Sequence, residues 1–205
     1  MIIVISNPTS IENEHAIINQ LFDEGLEIFH LRKKEYSENE IIKFIELIPE
    51  KYFNRIVLHS HYHLAKEYNL RGIHVPVNTQ NESAYGTLSI SFHSLGEIET
   101  FDKKFDYGFL SPLFDSISKD GYQSNLNLIE VKKYFQTYKP LSPLGKAGER
   151  LFLIALGGID EDKIDKVKEL GFSGIALLGS IWQSENPLEK FKRISEKWLK
   201  KELMY

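Results

Sequence analysis

Short apolar runs recur along this chain at intervals that leave room for one helix between successive runs. They occupy Ile2–Ile5, Leu26–Leu31, Arg55–His59, Gly72–Val75, Leu88–Phe92, Tyr107–Leu110, Phe152–Leu156 and Gly174–Leu178. The seventh is the clearest: Leu151 to Leu156 carries no charge and runs straight into Gly157-Gly158. Uninterrupted apolar runs of this length suit strands buried on both faces, as in parallel sheets covered by helices.

The segments between the runs carry helical periodicity. Ile18, Leu21 and Phe22 form a stripe that Gly25 can end. Ser37-x-x-Glu40 reads as a capping box ahead of Ile41, Phe44, Ile45 and Ile48, and Ser94-x-x-Glu97 repeats that form. Leu126–Phe135 is read as the sixth helix. Ile164, Val167 and Leu170 follow Asp160, and Pro187 suits a first helical position ahead of Leu188, Phe191, Ile194 and Trp198. The third and fourth helices are weakly written. Eight strand–helix units predict a single-domain α/β fold, a (β/α)8 TIM barrel spanning 1–205, near the lower size limit of that fold. An open doubly wound sheet is the rival and usually needs fewer strands. Residues 136–150, with Pro140, Pro143, Gly145 and Gly148, break the pattern and are expected to form an exposed loop insertion before the seventh strand.

Composition narrows the function classes. The chain has 205 residues, 42% of them apolar and 26% charged, the composition of an ordinary globular domain. A net charge of −4 with mixed signs gives no footprint for nucleic acid. No apolar run approaches the roughly 20 residues that span a membrane, so no membrane partner is expected. MIIVISNPTS lacks a basic segment ahead of its apolar run and reads as a first strand, which makes the cytoplasm the expected compartment. Without cysteine there is neither a disulfide nor thiol catalysis. A homo-oligomer is compatible with the sequence, though nothing in it specifies one.

In a TIM barrel the C-terminal strand ends share one rim, where the chemistry takes place. The second predicted strand ends in His30-Leu31-Arg32-Lys33-Lys34, the third in His59-Ser60-His61, the fourth in His74 and the fifth in Ser91-Phe92-His93. Five of the seven histidines therefore fall at four consecutive strand ends, with His15 and His63 placed on helices. Alternation puts His30, Arg32 and Lys34 on one side of their strand. Arg32, Lys34 and Lys119 are cations suited to a phosphate or diphosphate, and Ser91, Ser116 and Ser118 add hydroxyl donors. Gly157-Gly158 and Gly179-Ser180, after the seventh and eighth strands, could together hold one phosphate. His59 and His61 could share a metal with His74, but the rim offers no clear carboxylate ligand, Asp115 and Asp120 being the nearest candidates, and no metal site is assigned. Dinucleotide fingerprint, P-loop and nucleophile elbow are all absent from the sequence.

The ordered series HLRKK, GIHV, SISFHSLGE, SPLFDSISK, IALGGI and GIALLGSI resembles the thiamine phosphate synthase and thiazole tautomerase family of barrels. The resemblance covers essentially the whole chain apart from the insertion. It implies one of two activities. The synthase branch joins hydroxymethylpyrimidine diphosphate to thiazole phosphate and releases diphosphate, with Mg²⁺. The tautomerase branch isomerises a thiazole phosphate carboxylate by proton transfer.

Carried over residue by residue, Arg32 and Lys34 match the synthase's diphosphate-contacting Arg and Lys. Lys119 matches the lysine of its Thr-x-Thr-Lys loop, with Ser116 and Ser118 at the threonines. Ser91 matches a serine near the diphosphate, and His74 a histidine beside the pyrimidine. Gly158 matches the phosphate-binding glycine, and Gly179 and Ser180 the second phosphate loop.

Departures are concentrated at one end of the pocket. His30 replaces a pyrimidine-reading glutamine, His59-Ser60 an Asn-Asp pair, and Thr79 a second Mg²⁺-ligating aspartate. Pro112 stands where the tautomerase branch has its acid–base histidine. Proton transfer on thiazole phosphate is therefore the favoured expectation, with His30 and His93 first and His59 and His74 as further catalytic candidates, since histidine titrates where such transfers need it. The alternatives are the condensation, with Mg²⁺ as cofactor only in that case, and a non-catalytic barrel that binds phosphate ligands or scaffolds pathway enzymes.

Overall fold

Eight parallel strands close into a barrel in sequence order in the computed structural model, which describes residues 1–79, 85–115, 124–137 and 152–200. The strands are β1 (Ile2–Ile5), β2 (Ile28–Leu31), β3 (Ile56–Leu58), β4 (Gly72–Pro76), β5 (Thr87–Phe92), β6 (Tyr107–Leu110), β7 (Leu153–Leu156) and β8 (Gly174–Leu177). Each pairs with its sequence neighbours, and β1 closes the ring against β8, with Ile3 opposite Ala176. All eight predicted strands are present. Closure of the ring excludes the open sheet.

Helices α1 (Glu14–Asp23), α2 (Glu38–Glu46), α3 (His63–Glu67), α4 (Leu95–Thr100), α5 (Leu128–Thr137), α6 (Ile164–Leu170), α7 (Gly179–Trp182) and α8 (Pro187–Leu199) lie among the connections. The local signals act as read. Ser37 and Glu40 form both bonds of the capping box on α2, and Ser94 Oγ accepts from Glu97 N at 3.1 Å. Gly25 takes φ +91° after α1, and Pro187 opens α8. The weakly written α3 and α4 have only five and six residues. The sixth strand's helix begins at Leu128, two residues beyond the predicted start, because Asn127 Oδ1 accepts the Ile129 N–H at 2.9 Å and fixes the first turn there. Gln136 and Thr137 complete that helix; the remainder of the expected insertion, 138–150, lies outside the described residues, as do Ser116, Ser118 and Lys119.

Strand alternation sorts the apolar residues into two shells. Ile3, Ile5, Ile28, Val57, Tyr107, Phe109, Ile154 and Ala176 fill the barrel interior. The opposite faces, with Val4, Phe29, Leu31, Ile56, Leu58, Ile73, Ile90, Leu110, Ala155 and Ile175, pack against the helices. The same parity carries His30 inward beside Ile5, and sets His74 opposite Ser89 and Ser91 opposite Phe109. The interior thus grades from an apolar plug to a polar layer at the C-terminal strand ends.

Candidate active site at the C-terminal rim

Three of the five rim histidines converge into one cluster. His30 from β2, His59 after β3 and His74 from β4 each bring a ring nitrogen within 4.8 Å of the other two. His30 is fully buried, and both its nitrogens are engaged: Nδ1 lies 2.8 Å from His59 Nε2, and Nε2 lies 2.7 Å from the Tyr107 hydroxyl. His74 is held between two serines of β5, with Nδ1 2.9 Å from Ser89 Oγ and Nε2 2.8 Å from Ser91 Oγ. The His59 and His74 rings stack with centroids 4.2 Å apart, and Phe109 covers the other flank of His74.

Burial disfavours the charged form of all three rings. Desolvation, then the neighbouring His74 and Arg71, holds His30 well below the usual imidazole range. His59 is depressed by the same cause, followed by its histidine neighbours and by Arg32 and Lys34. His74 falls to about 3, through desolvation and then Arg32. Burial also raises the Tyr107 phenol, so it stays protonated beside His30. The cluster is a set of neutral imidazoles.

His93 is different. Ser89, Ser91 and His93 share one parity on β5 and its continuation, yet His93 is exposed at the rim. Its Nδ1 lies 2.9 Å from Ser111 O. A carbonyl oxygen only accepts, so Nδ1 carries the proton and Nε2 of the neutral ring keeps its lone pair. His61 does not join the cluster. Its Nε2 lies 3.3 Å from Tyr36 O and its Nδ1 3.5 Å from Glu38 on the surface.

The cations fall on the loop after β2. Arg32 is half-buried, and burial lowers its pKa. Among the described residues no carboxylate pairs with Arg32 or with the exposed Lys34, which leaves both available to an anion. The loop is pinned by Lys33 between them, to which sequence reading gives no role. Lys33 is buried, with Nζ 2.5 Å from Glu14 Oε2 of α1 and 2.7 Å from Thr9 O. Ser6 Oγ accepts the Arg32 N–H at 2.8 Å, tying the same loop to the end of β1.

The two glycine turns contribute in different ways. Gly157 and Gly158 take φ +97° and +65°. A Cβ at Gly158 would lie 2.3 Å from Asp115 O and 2.7 Å from Phe114 Cβ. These glycines are therefore required by the loop after β6, whose Leu113 and Phe114 amides donate to Leu156 O and Gly157 O. After β8, Ser180 is buried and its hydroxyl has no partner, an unusual state for a buried polar group. No backbone acceptor among the described residues takes the N–H of Gly158, Gly179 or Ser180.

The Mg²⁺ implied by the synthase resemblance is not matched by the residues at this rim. Magnesium favours carboxylate and phosphate oxygens, whereas Ser60 and Thr79 stand at the two positions where the resemblance expects its ligands. Thr79 O accepts the Lys103 ammonium at 3.1 Å. Asp115 is engaged by the Ser124 N–H at 2.8 Å.

Sequence reasoning missed Tyr107, Ser89 and Glu14. The first two could have been found from their inward parity on β6 and β5, since a polar residue at an interior position requires a partner. The Glu14–Lys33 pair has no local signal.

Comparison with known proteins agrees with this arrangement along the full barrel. The family model described as thiamine monophosphate synthase matches residues 2–181. A curated thiamine-phosphate synthase of Flavobacterium psychrophilum is 23% identical, over 94% of this chain and 96% of that protein. The crystal structure of thiamine phosphate pyrophosphorylase from Bacteroides thetaiotaomicron superposes with a TM-score of 0.79 at 34% identity, covering 96% of each chain. The 3-hexulose-6-phosphate synthase of Salmonella typhimurium covers 97% of this chain and 98% of its own, with a TM-score of 0.68 at 12% identity, and shares the fold alone. A matching family model across the strands that carry the histidine cluster, the Arg32 loop and both glycine turns places this chain in the thiamine monophosphate synthase family, a family of thiamine biosynthesis.

Proposed function

We propose that this protein isomerises a thiazole phosphate carboxylate by proton transfer, with His93 as the acid–base residue. The observation that carries the reading is the His93–Ser111 contact: Nδ1–H is committed to a carbonyl, and Nε2 of this exposed residue keeps its lone pair as a base. The ring is oriented by its second nitrogen, as catalytic histidines commonly are. In the cycle, Nε2 takes a proton from one position of the thiazole system and the imidazolium returns it at another. Atoms balance without a co-reactant.

Phosphate is held by the amides of Gly158 and Gly179 and by Ser180, whose buried hydroxyl gains its missing partner when the anion binds. Arg32 and Lys34 supply the positive field and face the carboxylate. His30 is a positioning residue: with both nitrogens bonded and no exposed surface, it orients His59 and steadies the layer beneath.

The test is a paired assay of isomerisation and condensation, each with and without Mg²⁺. Isomerisation independent of Mg²⁺, falling about 10²–10⁴-fold in His93→Asn, is the expected result. Phosphate affinity should remain within about twofold. Formation of thiamine phosphate that depends on Mg²⁺, Arg32 and Lys34 would overturn the reading in favour of condensation, the activity named for the similar relatives. Tight ligand binding with neither turnover would identify a binding barrel.

A further inference from the structure

The histidine cluster is over-built for reading a substrate. Three neutral imidazoles from adjacent strands face one another where the barrel interior opens, and no carboxylate lies among them. We propose that His30, His59 and His74 form a site for a borderline divalent transition metal, Zn²⁺ foremost, with a fourth position open to the mouth. This goes beyond the proton-transfer reading and does not depend on it, because His93 lies outside the cluster.

The hydrogen bonds define which nitrogen each ring offers. Ser89 Oγ donates to Ile73 O at 3.3 Å, so it accepts from His74 Nδ1–H and leaves His74 Nε2 with a lone pair, which accepts the Ser91 hydroxyl at 2.8 Å until an ion displaces it. With the Tyr107 oxygen accepting from His30 Nε2–H, His30 Nδ1 keeps its lone pair and faces His59 Nε2. Metal-ligating histidines characteristically bond an outer partner through the second nitrogen, which fixes ring orientation. Here Tyr107 and Ser89 already stand in those positions.

Distances suit the ion. With Zn–N bonds near 2.0–2.1 Å, tetrahedral geometry separates ligand nitrogens by about 3.3 Å. The cluster brackets that value, from the 2.8 Å His30–His59 contact to an outer limit of 4.8 Å. Entry of the ion takes the place of the proton between His30 Nδ1 and His59 Nε2, and His59 stays a neutral ligand by carrying its proton on Nδ1. His59 is the part-exposed member of the cluster.

Ligand chemistry decides among metals. Imidazole nitrogens suit Zn²⁺, Co²⁺ and Ni²⁺, whereas Mg²⁺ and Ca²⁺ require oxygen donors. An all-neutral donor set leaves the full ionic charge at the mouth, so the fourth position takes water or an anionic oxygen.

The test uses the full chain, stripped of metal and titrated with Co²⁺, read by the visible d–d bands of tetrahedral Co²⁺. One equivalent with a tetrahedral spectrum is expected, displaced by Zn²⁺ and unmoved by millimolar Mg²⁺. His59→Gln, at the part-exposed position, should weaken binding about 100-fold or more, and Tyr107→Phe about 10–100-fold through loss of the outer partner. His63→Gln, which dismantles the surface arrangement of His61, His63 and Glu38, should leave the titration unchanged. Binding lost in His63→Gln but retained in His59→Gln would overturn the proposal, as would an octahedral spectrum or no stoichiometric binding. Circular dichroism of each variant separates loss of ligand from loss of fold.

Discussion

Replacing Lys33 with methionine should be among the most damaging single changes to this barrel, although the position looks like a solvated loop charge. The Lys33 side chain is 0% exposed and that of Glu14 is 4% exposed, with 2.5 Å between their charged atoms. Methionine would fill the space of the lysine stem between Tyr36 and Phe44, over whose rings the ammonium now sits at 5.4 and 5.6 Å. Packing is therefore nearly conserved, and the electrostatic loss stands out. Glu14 would keep the Asn7 N–H on Oε1, at 3.1 Å, but no opposite charge. Removing one partner of a buried ion pair costs about 3–5 kcal/mol, because the remaining charge stays desolvated.

The loss should depend on pH with a definite sign. Burial already raises the Glu14 pKa, against the lowering effect of Lys33. Without the lysine it rises further, so the folded chain holds a proton that the unfolded chain sheds above its ordinary range. Stability then falls as pH rises, and Lys33→Met should be more destabilised at pH 8 than at pH 5. Urea unfolding of the wild type, Lys33→Met, Glu14→Gln and the double variant closes a double-mutant cycle. The double variant should recover part of the loss, since a neutral amide can still accept from Asn7. A Lys33→Met protein within about 1 kcal/mol of wild type at pH 8, or strictly additive effects, would refute the argument.

Other consequences follow from the same geometry. Metal-free protein should lose stability as pH falls below about 6.5, the range where unfolded histidines take up protons. His74, at about 3 when folded, contributes about 2 kcal/mol of that loss between pH 8 and pH 5, with His30 and His59 adding in the same direction; urea midpoints measured across this range should show it, and His74→Gln should flatten the slope. Ser180→Ala should reduce inorganic phosphate affinity about tenfold without lowering the thermal midpoint, since the lost hydroxyl has no protein partner in the free state. Gly158→Ala should cost both stability and phosphate affinity, because a Cβ 2.3 Å from Asp115 O forces the loops after β6 and β7 apart; calorimetry and phosphate titration report the two losses separately.

Much of the fold is legible from periodicity because each strand is a short apolar run and the fold repeats one unit. The clustering of polar residues at strand ends is legible for the same reason: once eight units are counted, every strand end points to one rim. What periodicity does not encode is depth. His30, His59, His74 and His93 read alike as strand-end histidines, yet β2 carries His30 one residue before its end and into the interior, whereas His93 lies one residue past β5 and reaches solvent. That two-residue offset separates a buried positioning residue from an accessible base. Lys33 shows a second limit. Its neighbours Arg32 and Lys34 are solvent-accessible while it is fully buried, because Glu14, nineteen residues earlier, supplies its partner. Long-range ion pairs of this kind leave no trace in composition or spacing. The Gly157-Gly158 turn shows a third. A glycine pair after a buried strand suggests close approach of a backbone to something, and here the approaching backbone includes the loop after β6 as well as any ligand.

The most direct measurement of the central claim is solvent exchange. Thiazole phosphate carboxylate incubated with the protein in deuterated water, followed by proton NMR, reports abstraction at the heterocycle whether or not net isomerisation accumulates. Deuterium should enter the ring system with wild-type protein, without added Mg²⁺, and at least about 100-fold more slowly with His93→Asn. Exchange at the wild-type rate in that variant, or no exchange with either protein, would contradict the account.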